Sequence, residues 1–329
     1  MTLLLFIAGL VLILAGANYL IEGARGIAVH FHVPETVIGM TIVGIGTSVP
    51  EMVISFFSAA RGNAGMAIGN VVGSNIFNTL VITGITALII PVGLTKNSIR
   101  KDIPYAFMAS LMLFVFANDS FFDSSPNIIS RTDGIALIIF FIIFLAYTYF
   151  SVGKISHNVP YSGSGTKRAT GEYVEKKSVS FLWLITAGGL AALLGGSEIL
   201  INSALKIASG LGVPDSLIAL SMVSVGTSLP ELITGITAAI KKETGIAIGN
   251  ILGSNISNIF LVLGGSAVIH PMALGNITET DLGVMLLSSV LLFISAFTFK
   301  KKYIDRYEGA IFLSIYIAYM LNAVGVLPF

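Results

Sequence analysis

No cysteine occurs in the 329 residues, which excludes disulfides, thiolate metal sites and thiol catalysis. Charge is also scarce: 11% of residues are Asp, Glu, Lys or Arg, and the formal net charge is +1. Such a chain has no global field to attract nucleic acid, so no nucleic-acid partner is expected. There are 4 histidines, His30, His32, His157 and His270, and each falls at the end of an apolar stretch or in a loop. With no mid-stretch His and no Cys, zinc and copper sites are disfavoured.

Apolar sequence is abundant. The composition is 55% hydrophobic and the mean hydropathy is +0.91, leaving too few polar residues to cover a soluble surface. The chain therefore reads as a membrane protein, with the lipid bilayer as its main partner. A spanning helix needs roughly 20 apolar residues. Ten stretches can be drawn, at about 2–22, 36–60, 66–90, 103–118, 134–152, 181–205, 216–240, 246–269, 282–299 and 309–327. Backbone groups cannot stay unpaired in hydrocarbon, so these should be helices. The alternation of a membrane β-barrel is absent. Residues 3–14 followed by Ala15-Gly16-Ala17 resemble a signal peptide, but no Lys or Arg precedes them, so we expect the first stretch to be a retained span.

Lys and Arg collect on the cytoplasmic side of membrane proteins. With ten spans and both termini outside, fifteen of the 18 Lys and Arg fall in cytoplasmic loops, and only Arg61, Arg131 and Lys206 fall outside. This separation supports the span count and a multi-pass plasma (inner) membrane location with N- and C-termini outside.

The sequence repeats itself. Residues 43–51, VGIGTSVPE, match 223–231, VSVGTSLPE, and residues 65–78, GMAIGNVVGSNIFN, match 245–258, GIAIGNILGSNISN. The offset is 180 in both, and it also relates Gly16 to Gly196 and Pro91 to Pro271. Asp133-Gly134 and Glu308-Gly309 correspond at an offset of 175. We read a first half at 1–152, a Gly-, Ser- and Lys-rich cytoplasmic linker at 153–179, and a second half at 180–329. Each half carries five spans, an odd number, so the second enters the membrane inverted. The expected fold class is all-α integral membrane, with ten transmembrane helices in two inverted five-helix repeats, an architecture that places ion sites at the repeat interface.

Glu51 and Glu231 are the sole charged residues of their stretches. A carboxylate at bilayer depth costs at least ~2.5–3.5 kcal/mol, and two at equivalent positions imply a function. The plainer alternative is a protonated Glu hydrogen-bonded between helices. Thr47, Ser48 and Glu51 are spaced to share a helix face, as are Thr227, Ser228 and Glu231. Pro50 and Pro230 remove a backbone donor and should free carbonyls near Gly46 and Thr47 for a cation, unless they mark simple kinks. Asn70, Ser74 and Asn78 recur every four residues, as do Asn250, Ser254 and Asn258. Asn70, Asn75, Asn250 and Asn255 read as interhelical glue more than as ligands. The set is hard and all-oxygen. Ca²⁺ accepts six to eight such ligands, whereas Mg²⁺ retains its waters.

These doubled motifs, GTS-x-PE and GN-xx-GSN-xx-N, resemble the alpha-repeats of the cation/calcium exchanger superfamily, above all its prokaryotic sodium/calcium exchanger branch. The likeness covers essentially the whole chain. It implies a secondary antiporter exchanging three Na⁺ for one Ca²⁺ by alternating access, electrogenic, with no cofactor beyond the transported ions and no obligate protein partner. It further implies that Glu51, Glu231, Thr47 and Thr227 bind Ca²⁺, that Ser48, Ser74, Ser228 and Ser254 serve Na⁺, and that Asn78 and Asn258 line the centre. Gly44 and Ser224 match positions whose carbonyls face the sites. Some relatives carry an acid where this chain has Asn258, and in potassium-dependent relatives that acid is linked to K⁺, so K⁺ co-transport is disfavoured.

Alternatives in the same superfamily are H⁺/Ca²⁺ exchange and K⁺-dependent exchange; a passive cation channel lies further off. An intramembrane serine protease would need a His or Lys base at the depth of Ser48 or Ser228, and none is present, so we expect no enzyme. Glu22 and Arg25, one turn apart, suggest a surface ion pair. Glu198 suggests an acid on the ion's access path, or a snorkelling side chain. Small residues in spans one and six (Gly16, Gly23, Gly195, Gly196) would permit those spans to slide.

Overall fold

A computed structural model describes residues 1–123, 126–155, 178–210, 226–275, 277–298 and 302–323. The helices are α1 (Thr2–Phe31), α2 (Glu35–Thr47), α3 (Val49–Ala60), α4 (Ala64–Ile89), α5 (Ile103–Phe116) and α6 (Arg131–Ile155) in the first half. The second half supplies α7 (Val179–Gly210), α8 (Leu229–Ile240), α9 (Thr244–Ile269), α10 (Glu279–Ser295) and α11 (Arg306–Ala323). Among the described residues, α1, α4, α6, α7 and α9 are each long and apolar enough to cross a membrane. The pair α2 and α3, bent by 47° at Ser48, makes a sixth such crossing.

Helix ends follow local chemistry. Asn63 caps α4 by accepting the Met66 N–H at 3.2 Å, and Thr278 with Asp281 forms a reciprocal capping box on α10. The helices α4 and α9 pass through π-helical turns at Phe77–Ile82 and Asn258–Leu263, repeat-equivalent segments. Such turns disturb the regular ladder and gather at functional sites.

The helix α1 runs well past residue 22, where the apolar count alone ends it. Its continuation sets small residues against α7, where a Cβ on Gly23 would meet Thr186 and one on Gly26 would meet Leu182, and the row begins earlier in the helix. A Cβ on Gly16 would lie 2.7 Å from the Gly189 carbonyl, and one on Gly189 would lie 2.9 Å from the Gly16 carbonyl. Gly9 and Gly196 oppose one another in the same way. Residue numbers rise on α1 as they fall on α7, so the two helices are antiparallel, with backbones in direct contact.

Among the described residues the chain also forms four two-residue strands that composition did not suggest: β1 (Val92–Gly93), β2 (Ile128–Ile129), β3 (Met272–Ala273) and β4 (Tyr303–Ile304). They pair β1 with β4 and β2 with β3, both antiparallel. Each pair joins one strand from each half, and β1 and β3 are repeat equivalents. The last helices are exchanged likewise: Gly134 of α6 meets the Gly264 carbonyl of α9, and Gly309 of α11 meets the Gly84 carbonyl of α4. Residues 156–177, most of the expected linker, lie outside the described residues, as do 211–225 and with them Ser224.

Candidate ion site

The break at Ser48 creates the site. Ser48 has φ −80° and ψ 7°, off the helical track, and Pro50 sits in the first turn of α3, where its missing N–H costs nothing. Ser228 repeats this with φ −86° and ψ 8° ahead of Pro230. Each Glu thereby stands in the first turn of a helix, whose exposed N–H groups favour negative charge. At the first break the Ser48 N–H reaches the Gly44 carbonyl at 3.3 Å, and the Gly46 carbonyl is engaged at the same cap. Gly46 is therefore not a freed acceptor, as the proline alone suggested.

Glu51 and Glu231 are both fully buried, and their partners are exchanged between halves. Ser228 Oγ donates to Glu51 Oε1 at 3.2 Å, and Ser48 Oγ lies 3.1 Å from Glu231 Oε1. Ser74 and Ser254 approach the same oxygens of Glu51 and Glu231 at 3.4 and 3.5 Å. Thr47 Oγ1 donates to Asn250 Oδ1 and Thr227 Oγ1 to Asn70 Oδ1, both at 3.2 Å. The expected face shared by Thr47, Ser48 and Glu51 does not survive the break. The Thr and Ser hydroxyls at each break address the carboxylate and amide of the other half, while Ser74 and Ser254 approach the carboxylate of their own.

Asn70 and Asn250 each tie their helix to the neighbouring Glu-bearing helix. Asn70 Nδ2 donates to the Glu51 carbonyl at 3.2 Å, and Asn250 Nδ2 to the Glu231 carbonyl at 3.3 Å. Asn70 Nδ2 also reaches Ser55 Oγ at 3.0 Å. Ser55 was missed in the sequence; its one signal was a place four residues after Glu51. Its repeat equivalent is Gly235, so this buttress exists in one half only. Asn255 Nδ2 donates to Thr79 Oγ1 at 2.8 Å, tying α9 to α4.

Several oxygen acceptors compete for the same hydroxyl protons. The Gly44 carbonyl alone has Ser48 Oγ at 2.9 Å, Ser254 Oγ at 3.1 Å and Thr47 Oγ1 at 3.3 Å around it. Ser48 and Ser254, each with one proton, also face Glu231. Glu51 Oε2, Glu231 Oε2 and both ends of the Asn78 and Asn258 amides are buried with no hydrogen-bond partner. Unsatisfied buried oxygens are costly, and a hard cation would satisfy them. No cluster of three or more His, Cys, Asp or Glu occurs among the described residues. The donor set is two carboxylates with amide, hydroxyl and carbonyl oxygens, which suits Ca²⁺ and Na⁺ and not zinc.

Of the sequence-derived candidates, Glu51, Glu231, Thr47, Thr227, Ser48, Ser228, Ser74, Ser254 and Gly44 are joined in this network. Asn78 and Asn258 are fully buried within α4 and α9 beside it. Ser224 lies outside the described residues. Arg25 Nη1 lies 3.0 Å from Glu243 Oε1, a partner from the other half that helical spacing did not suggest. Lys241 is the neighbour of Glu22, whose carboxylate favours the lysine's charge.

Comparison with known proteins matches this architecture. The family model described as sodium/calcium exchanger protein matches residues 1–150 and 181–325. A putative antiporter CaxA of Alkalimonas amylolytica is 34% identical over 316 residues, 95% of each chain. The sodium/calcium exchanger MaX1 of Methanosarcina acetivorans is 31% identical over 350 residues, 97% of each chain. The solved structure of the sodium-calcium exchanger NCX_Mj, soaked without Na⁺ and Ca²⁺, superposes with a TM-score of 0.81 at 30% identity, covering 98% of each chain. The chain belongs to the sodium/calcium exchanger family: it is an all-α membrane antiporter of the cation/Ca²⁺ exchanger type and not an enzyme.

Proposed function

We propose that this protein exchanges Na⁺ for Ca²⁺, three for one, at a single site centred on Glu51 and Glu231. The observation that carries this is the exchanged bonding of the two carboxylates, each held by the serine of the other half. Two negative charges neutralise one Ca²⁺, and three Na⁺ leave one net positive charge on the loaded site. Both ions use the same carboxylates, so their binding is mutually exclusive and the cycle moves net charge. Asn78 and Asn258 are neutral, which favours Na⁺ over K⁺ dependence.

The ten sequence stretches are ten spans in this reading, arranged as inverted halves, 1–152 and 180–329, in the inner membrane with both termini outside. The antiparallel pairing of the repeat-equivalent helices α1 and α7 supports inversion. The strand pairs support the topology, since β1 and β4 come from loops assigned to one side and β2 and β3 from loops assigned to the other. Access alternates as α1 and α7 slide along their glycine contact against the remaining helices.

The test is ⁴⁵Ca²⁺ uptake into Na⁺-loaded proteoliposomes. Truncating one partner of a buried charge interaction costs roughly 2–5 kcal/mol, so Glu51→Gln and Glu231→Gln should each lose at least about 30-fold in Ca²⁺ affinity. Wild-type uptake in either variant refutes the site. Uptake driven equally by H⁺ or K⁺ gradients refutes Na⁺ specificity, and flux indifferent to a K⁺-valinomycin potential refutes the stoichiometry.

A further inference from the structure

The two halves agree closely at the ion site and disagree at the ends of the α1–α7 pair. The helices α8 and α9 are joined by Lys241-Lys242-Glu243, and α3 and α4 by Arg61-Gly62-Asn63, the same three positions 180 residues earlier. The turns share one backbone shape: Gly62 has φ 73° and Lys242 has φ 63°. A side chain at positive φ is disfavoured, so the second turn keeps a lysine where its copy uses the easy residue.

The side chains diverge further. Asn63 caps its own helix through Met66 N–H. Glu243 occupies the equivalent N-cap and makes no side-chain cap bond. Its carboxylate instead meets Arg25 Nη1 of α1 at 3.0 Å. Lys241 Nζ donates to the Asn18 carbonyl, also on α1, at 3.0 Å. These contacts rim a cavity of about 390 Å³ lined by Ile21, Glu22, Arg25, Lys241, Lys242 and Glu243. Partial burial there pulls the Lys241 ammonium below the ordinary lysine range, against the opposing pull of Glu22 and Glu243.

At the other end the repeat equivalents of Arg25 and Glu243 are Leu205 and Asn63, which cannot form an ion pair. Among the described residues, Arg61 and Glu198, the equivalents of Lys241 and Asn18, form no ion pair, Glu198 being exposed on α7.

We propose that Arg25, Lys241 and Glu243 are positioning residues that latch one end of α1 to the opposite half, and that this one-sided latch biases the exchanger against opening at that end. The proposal rests on the alternating-access reading, whose orientation puts the latch inside. For α1 to slide and admit ions from the cytoplasm, the Arg25–Glu243 pair and the Lys241–Asn18 bond must break. Outward opening breaks no equivalent ion pair among the described residues.

The chain has no cysteine, so Ile21→Cys supplies a single reporter thiol on a residue only 1% exposed that lines the latch cavity. An impermeant thiol reagent is applied from the cytoplasmic face of oriented vesicles, in wild-type, Arg25→Gln, Glu243→Gln and double-variant backgrounds. A part-exposed ion pair predicts labelling faster by about two- to fivefold in each single variant, with no further gain in the double variant. The ratio of inward to outward Ca²⁺ transport should shift by the same factor. Unchanged labelling in Arg25→Gln, or a double variant equal to the product of the singles, overturns the latch. Labelling reports the latch without requiring transport, whereas absence of Na⁺-driven Ca²⁺ flux in the wild type would overturn the functional reading itself.

Discussion

Consider Gly253→Ala, one methyl group in α9. A Cβ built on Gly253 falls 2.5 Å from Met40 Cα and 2.7 Å from Met40 C, with the Met40 carbonyl oxygen also in the way. These are backbone atoms of α2 and cannot rotate aside. Ordinary contact begins at 3.4 Å, so α2 and α9 must part by at least about 0.9 Å, the difference between 3.4 and 2.5, since the carbonyl oxygen lies nearer still. Overpacking of this kind costs typically 1–3 kcal/mol. The separation also falls on the site. Thr47 of α2 reaches Asn250 of α9 at 3.2 Å, and Ser254 reaches the Gly44 carbonyl at 3.1 Å. Adding about 0.9 Å along either bond carries it past hydrogen-bonding range. We expect destabilisation of about 3–5 kcal/mol in all, counting about 1 kcal/mol for each of the two lost bonds. Ca²⁺ binding should weaken at least about tenfold, the equivalent of ~1.4 kcal/mol. Thermal unfolding of the purified protein across a Ca²⁺ titration reads both, since a ligand stabilises the state that binds it. Gly188→Ala is the control: a Cβ there meets nothing within 4 Å, and the gain in helix propensity should raise stability by up to about 1 kcal/mol. If Gly253→Ala unfolds and titrates like the wild type, the close approach of α2 and α9 does not set the site.

Two further outcomes are expected. Ser228→Ala removes the hydroxyl that bonds Glu51 Oε1 at 3.2 Å and Ser74 Oγ at 3.0 Å. A hydrogen bond to a charged group contributes roughly 1.5–3 kcal/mol, so ion affinity measured by isothermal titration should fall about tenfold or more, and Ser48→Ala should match it through Glu231. Protons and Ca²⁺ compete for the same carboxylates, so binding releases protons and affinity falls as pH falls. The slope of log Kd against pH should approach about two protons in acid solution and drop to about one in Glu51→Gln; an unchanged slope would remove Glu51 from the coordination.

The sequence by itself established much of this protein. Its apolar runs fixed the membrane class, because hydrocarbon tolerates only backbones that satisfy themselves. Two isolated acids at one offset marked Glu51 and Glu231, because a buried charge is too costly to keep without use. The four-residue spacing of Asn70, Ser74 and Asn78 set them along one helix, and all three are buried in α4, Asn78 within its π-helical turn.

Tertiary structure decided which residues meet. Helical spacing set Thr47 and Ser48 beside Glu51, yet the chain breaks at Ser48 and those hydroxyls turn to Asn250 and Glu231, some two hundred residues away. Periodicity describes neighbours on one rod and carries no information about partners across an interface. The reach of α1 past residue 22 depended on glycines that matter only once α7 lies against them, and the partner of Arg25 was hidden for the same reason. Local pattern assigned it to Glu22 on its own helix, while packing delivered Glu243 from the other half.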